Sequence, residues 1–257
     1  MEKRGAAHIE MVLSFIIFVS AVAFALYFFN PARTDVLVDR SLDYLFREIQ
    51  ENTSVELQTL SVVIHNDTIR LDEEIKHREI DTIAINITGI LPATSGVKVF
   101  TLAGDEFPAR RERVSRHGRE EYEMLYVKSP LDTDWNETTF IYIYLSDEFS
   151  PASGIRQVKH NDSFYELGAS NLRTLISENK MLALNSTYYT NYRALKRYFN
   201  IPDRVDFGFA LVFSPSEQIL AQRSERPRGE VFSRRKRVEV LRTDGQTAFA
   251  DLIVRVW

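Results

Sequence analysis

From Met11 to Phe29 the chain runs for nineteen residues without a charge, MVLSFIIFVSAVAFALYFF. No other feature limits the fold as tightly, because such a run must be covered by something other than water. Ser14 and Ser20 are its polar residues, and a helix satisfies both hydroxyls on its own carbonyls. At 1.5 Å per residue the helix would reach about 28 Å, near the thickness of a bilayer core. The sequence therefore predicts an N-terminal transmembrane helix. Lys3 and Arg4 precede it and favour a cytoplasmic N-terminus. Arg33, Arg40 and Arg47 follow it but alternate with Asp35, Asp39, Asp43 and Glu48, so charge sets the orientation only in part. The expected location is the cell membrane, single-pass, with the C-terminal part extracellular.

The rest of the chain must form its own core. There are 257 residues and no cysteine, which excludes disulfides, thiolate metal sites and cysteine nucleophiles. The formal net charge is −4, so no basic field argues for a nucleic-acid partner.

Glu10 stands at the head of the apolar run, where a carboxylate facing lipid is unfavourable. Lys3-Arg4-Gly5, then four residues, then Glu10 and an unbroken apolar helix resemble the class III signal peptide of type IV pilins and archaeal pilin-like proteins. The resemblance covers about the first 30 residues. It implies cleavage by a prepilin peptidase between Gly5 and Ala6, which leaves the helix on the mature chain. Glu10 becomes the fifth mature residue, where the family keeps a Glu. It also implies assembly with other pilin-like subunits through Ala6 and Glu10, the carboxylate of one subunit pairing with the new amine of a neighbour. A half-made pair of this kind is costly, which would select helix register. Two other readings compete. A secretory signal could be cut behind Ala21-Val22-Ala23 or Ala23-Phe24-Ala25, or the helix could be an uncleaved anchor.

After Asn30-Pro31, the residues Val38, Leu42, Leu45, Phe46 and Ile49 fall on one helical stripe, predicting an amphipathic stalk helix. Beyond Asn52 the period becomes two. Seven short strands are expected between 53 and 149: Glu56–Ile64, Thr68–Leu71, Thr82–Thr88, Val97–Leu102, Arg110–Val114, Glu121–Lys128 and Thr139–Leu145. Their spacing suits an immunoglobulin-like sandwich. Residues 171–200 regain helical spacing. One helix is expected through Leu172, Leu175, Ile176, Leu182 and Leu184, and a second through Tyr188, Tyr192, Leu195 and Phe199. Strands return at Val205–Phe213, Arg237–Leu241 and Ala248–Val256, with an Asp244-Gly245 hairpin between the last two. The expected organisation is a leader at 1–5, an assembly helix at 6–30, a stalk at 31–52, a β-sandwich-like unit at 53–150, a helical insertion at 151–204 and a C-terminal hairpin region at 205–257. The fold class is α+β.

Asn52, Asn66, Asn86, Asn136, Asn161 and Asn185 each begin an Asn-X-Ser/Thr sequon without proline at X. With Asn at 11 and Ser or Thr at 35 of 257 positions, chance would place about 1.5 of this pattern, so six favour N-glycosylation. The plainer reading, Asn and Thr in turns, holds best for Asn66 and Asn161. His8, His65, His77, His117 and His160 lack metal-ligand spacing. No Gly-x-Ser-x-Gly elbow, phosphate loop or dinucleotide fingerprint occurs. Neither an enzyme nor a cofactor nor a metal is expected. The reading is a structural, pilin-like subunit, of the minor-pilin or adhesive-filament type. The alternative is a non-polymerising surface receptor on a single-pass anchor.

Overall fold

The structure, a computed structural model, describes residues 3–28, 32–65, 81–90, 96–116, 120–129, 135, 139–150, 154–223 and 230–257; the side chains of 3–10, 28, 32–39, 116 and 120 fall outside that description. Two helices open the chain, α1 (Lys3–Phe28) and α2 (Ala32–Thr53). Then come β1 (Ser54–Ile64), β2 (Thr82–Asn86), β3 (Gly96–Thr101), β4 (Glu106–Phe107), β5 (Ala109–Arg116), β6 (Glu120–Lys128), β7 (Thr139–Ser146) and β8 (Tyr165–Ser177). Helices α3 (Glu178–Thr190) and α4 (Tyr192–Tyr198) follow, and β9 (Phe207–Ser214), β10 (Glu217–Ala221), β11 (Phe232–Leu241) and β12 (Thr247–Val256) complete the chain.

Nine strands form one sheet in the order β10-β9-β12-β11-β8-β1-β7-β3-β4, and β2-β6-β5 form a second. The large sheet is antiparallel except where β11 meets β8, which run parallel. Its order brings the last third of the chain alongside the first strand. That arrangement needs long-range pairing, which alternation in the sequence does not announce.

Both layers that cover the large sheet lie on the same face. Directly opposed residues share a face, and alternate residues along a strand share one too. Ser54, Ile176 and Val240 are so aligned, and Ile176 and Val240 pack beneath α2, α3 and α4 with Leu45, Ile49, Met181, Tyr188, Phe199 and Phe207. Leu60, on the same face of β1, packs with Ile143 and Val99 against Ile83, Ile85, Leu125 and Val127 of the small sheet. Val55, Leu57, Leu175 and Leu241 point the other way and are covered by Phe149. Helices thus cover one half of the face and a sheet covers the other.

The local signals explain several elements. In α2 the predicted stripe buries Leu42, Leu45, Phe46 and Ile49, the last at 0% exposure; Val38 lies outside the described side chains. The helix ends where Thr53 and Ser54 turn their hydroxyls back to the carbonyls of Ile49 and Gln50, at 2.7 and 2.6 Å, and β1 begins at once. Ser177 caps α3 by accepting from the Lys180 N–H at 3.1 Å. The Asp244-Gly245 hairpin is present. β11 and β12 pair from Phe232↔Val256 to Leu241↔Thr247, and Gly245 at φ 92° supplies the left-handed residue of the turn. Trp257 anchors the end of the chain, exchanging backbone hydrogen bonds of 2.8 and 3.0 Å with Asp206.

Several expectations are corrected. Among the described residues no helix is long and apolar enough to cross a membrane. The transmembrane helix is withdrawn, and with it the single-pass location that Lys3 and Arg4 were to orient. The α+β class with a seven-stranded immunoglobulin-like sandwich is replaced by a mostly β molecule, 48% strand and 28% helix, because the N-terminal strands join C-terminal ones in one mixed sheet. The two-helix segment is shorter than expected. Leu172, Leu175 and Ile176 belong to β8, whose pairing with β1 overrides their helical spacing. The strand expected at Thr68–Leu71 lies outside the described residues. β4, β8 and β10 were not anticipated.

Candidate functional site

α1 is built unlike every other element. Its first turn carries no acid and its last turn no base, so it is not trimmed as a solvated helix would be. Met11, Leu13, Phe15, Ile17, Phe18, Phe24, Leu26 and Tyr27 are each 59 to 72% exposed, and these positions fall on all sides of the helix. A helix apolar all round is normally buried, and exposed apolar surface of this extent marks a contact site. α2, by contrast, is amphipathic and fixed to the sheet, and it runs without a break into β1.

Lys3, Arg4, Gly5, Ala6 and Glu10 all lie within α1, with side chains outside the description. The geometry of the Ala6–Glu10 pairing is therefore not on view.

The sequons fall in different surroundings. Asn52 uses both ends of its amide: Nδ2 donates to the Glu48 carbonyl at 2.7 Å, and Oδ1 accepts from the Tyr198 hydroxyl. It borders an open groove of about 630 Å³ between α2, α3 and α4, lined also by Lys180, Leu184, Leu195 and Tyr198. A glycan on Nδ2 would leave that nitrogen a single N–H for the bond to Glu48. Asn185, on α3, is half-buried with Oδ1 lacking a hydrogen-bond partner. Asn86 Oδ1 accepts from Thr88 N–H at 3.0 Å, and Asn161 Oδ1 accepts from the N–H and hydroxyl of Ser163 at 3.1 and 2.8 Å. These two sequons form tight local turns at the surface. Asn66 and Asn136 lie outside the described residues.

Folding also assembles groups that sequence spacing did not connect. His160 Nε2 lies 3.0 Å from Asp162 Oδ1 and 2.9 Å from the Tyr165 hydroxyl. That hydroxyl also accepts from the Asn86 backbone N–H at 2.9 Å. Burial, aided by Asp162, pushes the Tyr165 phenol up to about 12. A neutral phenol held this way serves as a hydrogen-bonding hub that ties β2 to the start of β8.

A second cluster surrounds Tyr192. Its hydroxyl donates to Asp206 Oδ1 at 2.9 Å and accepts from Phe207 N–H at 3.1 Å. The buried Lys196 donates to the same carboxylate at 3.3 Å and to the Asp203 carbonyl at 2.9 Å. Burial raises the Tyr192 phenol, and it raises Tyr188 to about 12. These bonds, with the backbone pair between Asp206 and Trp257, fasten α4 and the chain end together. Among the described residues no group of three or more His, Asp or Glu side chains could hold a metal ion. Compared with protein-family models, curated proteins and solved structures, the chain matches none.

Proposed function

We propose that this protein is a structural subunit of the pilin-like kind, assembling through α1 with the same helix of other subunits. The observation that carries the reading is the all-round exposure of apolar side chains from Met11 to Tyr27 on a helix attached to an independently packed body. Helix-on-helix packing covers that surface without any membrane span. Burying one face, about five large side chains at roughly 1.5–3 kcal/mol each, would contribute on the order of 10 kcal/mol. That is comparable with the cost of association, so assembly is favourable only when several helices bundle. The Lys3-Arg4-Gly5 leader and Glu10 support the same reading. Cleavage before Ala6 would create an amine, with which Glu10 of a neighbour would pair.

N-terminal mass spectrometry of the native protein, together with sedimentation of wild type and Glu10→Ala, tests the reading. A first residue of Ala6, with large assemblies lost in Glu10→Ala, is the expected result. A chain starting at Met1 that stays monomeric would overturn it.

A further inference from the structure

Among the described residues the large sheet is open in its middle. β8 pairs with β1 from Tyr165↔Ile64 to Ile176↔Ser54. On its other side it meets β11 only at Ile176↔Val240 and Ser177↔Leu241. β11 in turn pairs with β12 over its full length. Two strands running in the same direction therefore touch at their C-terminal ends and separate towards their N-terminal ends. Among the described residues nothing pairs with the facing edges of the resulting fork, and Arg173 bridges it near the closed end by donating to Glu239 at 2.5 Å.

The two edges differ in chemistry. β11 presents Ser233, Arg234, Arg235, Lys236 and Arg237, all exposed. Such a cationic run protects its own edge from casual pairing. β8 presents Gly168-Ala169-Ser170-Asn171-Leu172, also exposed, with no lysine, arginine or proline among them; Arg173, next along the strand, is engaged by Glu239. Its one irregularity is a bulge, where the register with β1 shifts between Leu60 and Val62. Gly168 sits there because a Cβ would stand 2.4 Å from the Ser61 hydroxyl. Beyond the bulge, 170–174 keep a regular register with β1. Those residues keep unpaired backbone donors and acceptors on one side, which water must satisfy in the free chain.

We propose that this fork is a docking site for an extended acidic segment, which adds as a strand to β8 at 170–174 with its carboxylates facing the cations of β11. Strand addition supplies main-chain hydrogen bonds without regard to side chains, and specificity then comes from what flanks the edge. Here the flank is positive. Arg234 pairs with Asp43 of α2 and Arg235 with Asp251, while Arg237 lies over the Phe249 ring. Lys236 has no carboxylate within ion-pair distance among the described residues, and it is the cation most available to a newcomer. Leu172, 57% exposed, offers an apolar contact to the residue that would lie opposite it on an incoming strand. A second copy of β8 fits less well, because antiparallel pairing about this edge would bring two β11 cation runs together. The proposal does not depend on assembly through α1.

The test uses the full chain in a mild non-ionic detergent that covers α1, and two fluorescein-labelled octapeptides, (Glu-Val)4 and (Lys-Val)4. Saturable binding of (Glu-Val)4 alone is expected, with slowed amide hydrogen exchange at 170–174 and not elsewhere in the sheet. The double variant Lys236→Glu/Arg237→Glu should weaken binding at least about tenfold. Leu172→Glu, at an exposed position, should do the same without loss of fold. Equal binding of both peptides would overturn the proposal. So would binding that leaves exchange at 170–174 unchanged, or no binding at all. Protection of 170–174 that grows with protein concentration in the absence of peptide would also overturn it, by assigning the edge to a second copy.

Discussion

At the scale of single residues, the clearest departures from ordinary behaviour are three phenols. Tyr165 and Tyr188 are raised to about 12, and Tyr192 is raised as well, with burial the main cause in each. All three hydroxyls are tied to backbone groups: Asn86 N–H, the Phe207 carbonyl and Phe207 N–H. A folded-state value above the unfolded one means that the neutral phenol is the form the fold holds. The stability this supplies is complete below pH 10 and is lost as pH rises from 10 through about 12. An absorbance titration at 295 nm should therefore show these three phenols ionising only as the chain unfolds at a pH above 10. If all eleven tyrosines titrate together near 10 with the fold intact, the packing around these phenols is wrong. None of this is legible in sequence, where Tyr165 and Asn86 are separated by 79 positions.

At the scale of elements, α2 decides how the N-terminal helices meet the sheet. Ile49 is fully buried in the cluster that also holds Tyr188, Phe207 and Val240. Ile49→Ala would leave a cavity between the helices and the large sheet, which cannot both relax fully, and should cost about 2–5 kcal/mol. Urea unfolding checks this, read as a lower midpoint at an unchanged slope. A loss below about 1 kcal/mol would mean that α2 is only loosely docked. The stripe on α2 was legible because amphipathic spacing is local. β8 was not, because Leu172, Leu175 and Ile176 satisfy helical spacing as well as a strand buried on alternate sides near its end. Only the ladder to β1, more than a hundred residues away, decides between them. β7 was legible for the opposite reason. It pairs on both sides, with β1 and β3, and buries Ile141, Ile143 and Leu145, which suits an interior strand.

At the scale of the whole molecule, a packed body carries an apolar helix. No residue from Met11 to Tyr27 of α1 belongs to any of the four apolar clusters of buried residues. A chain beginning at Ala32 should therefore keep the thermal midpoint of the full-length protein within about 2 °C, while losing all tendency to associate. Differential scanning calorimetry and sedimentation velocity read the two effects separately. A large fall in midpoint would show that α1 supports the body. Persistent association would move the assembly surface elsewhere.

The sequence by itself determined what depends on neighbours along the chain. The apolar run makes a helix that must find apolar company, the 38–49 stripe makes α2 amphipathic, Asp244-Gly245 makes a hairpin, and alternating stretches make strands. Tertiary structure alone decided which strands pair and which surfaces remain open. Pairing energies come from groups far apart in sequence, and period-two patterns look alike whichever partner they find. For that reason the expected sandwich became one nine-stranded sheet with helices and a small sheet on a single face. For the same reason the fork between β8 and β11, with its unguarded edge beside a cationic one, exists only once both ends of the chain have folded together.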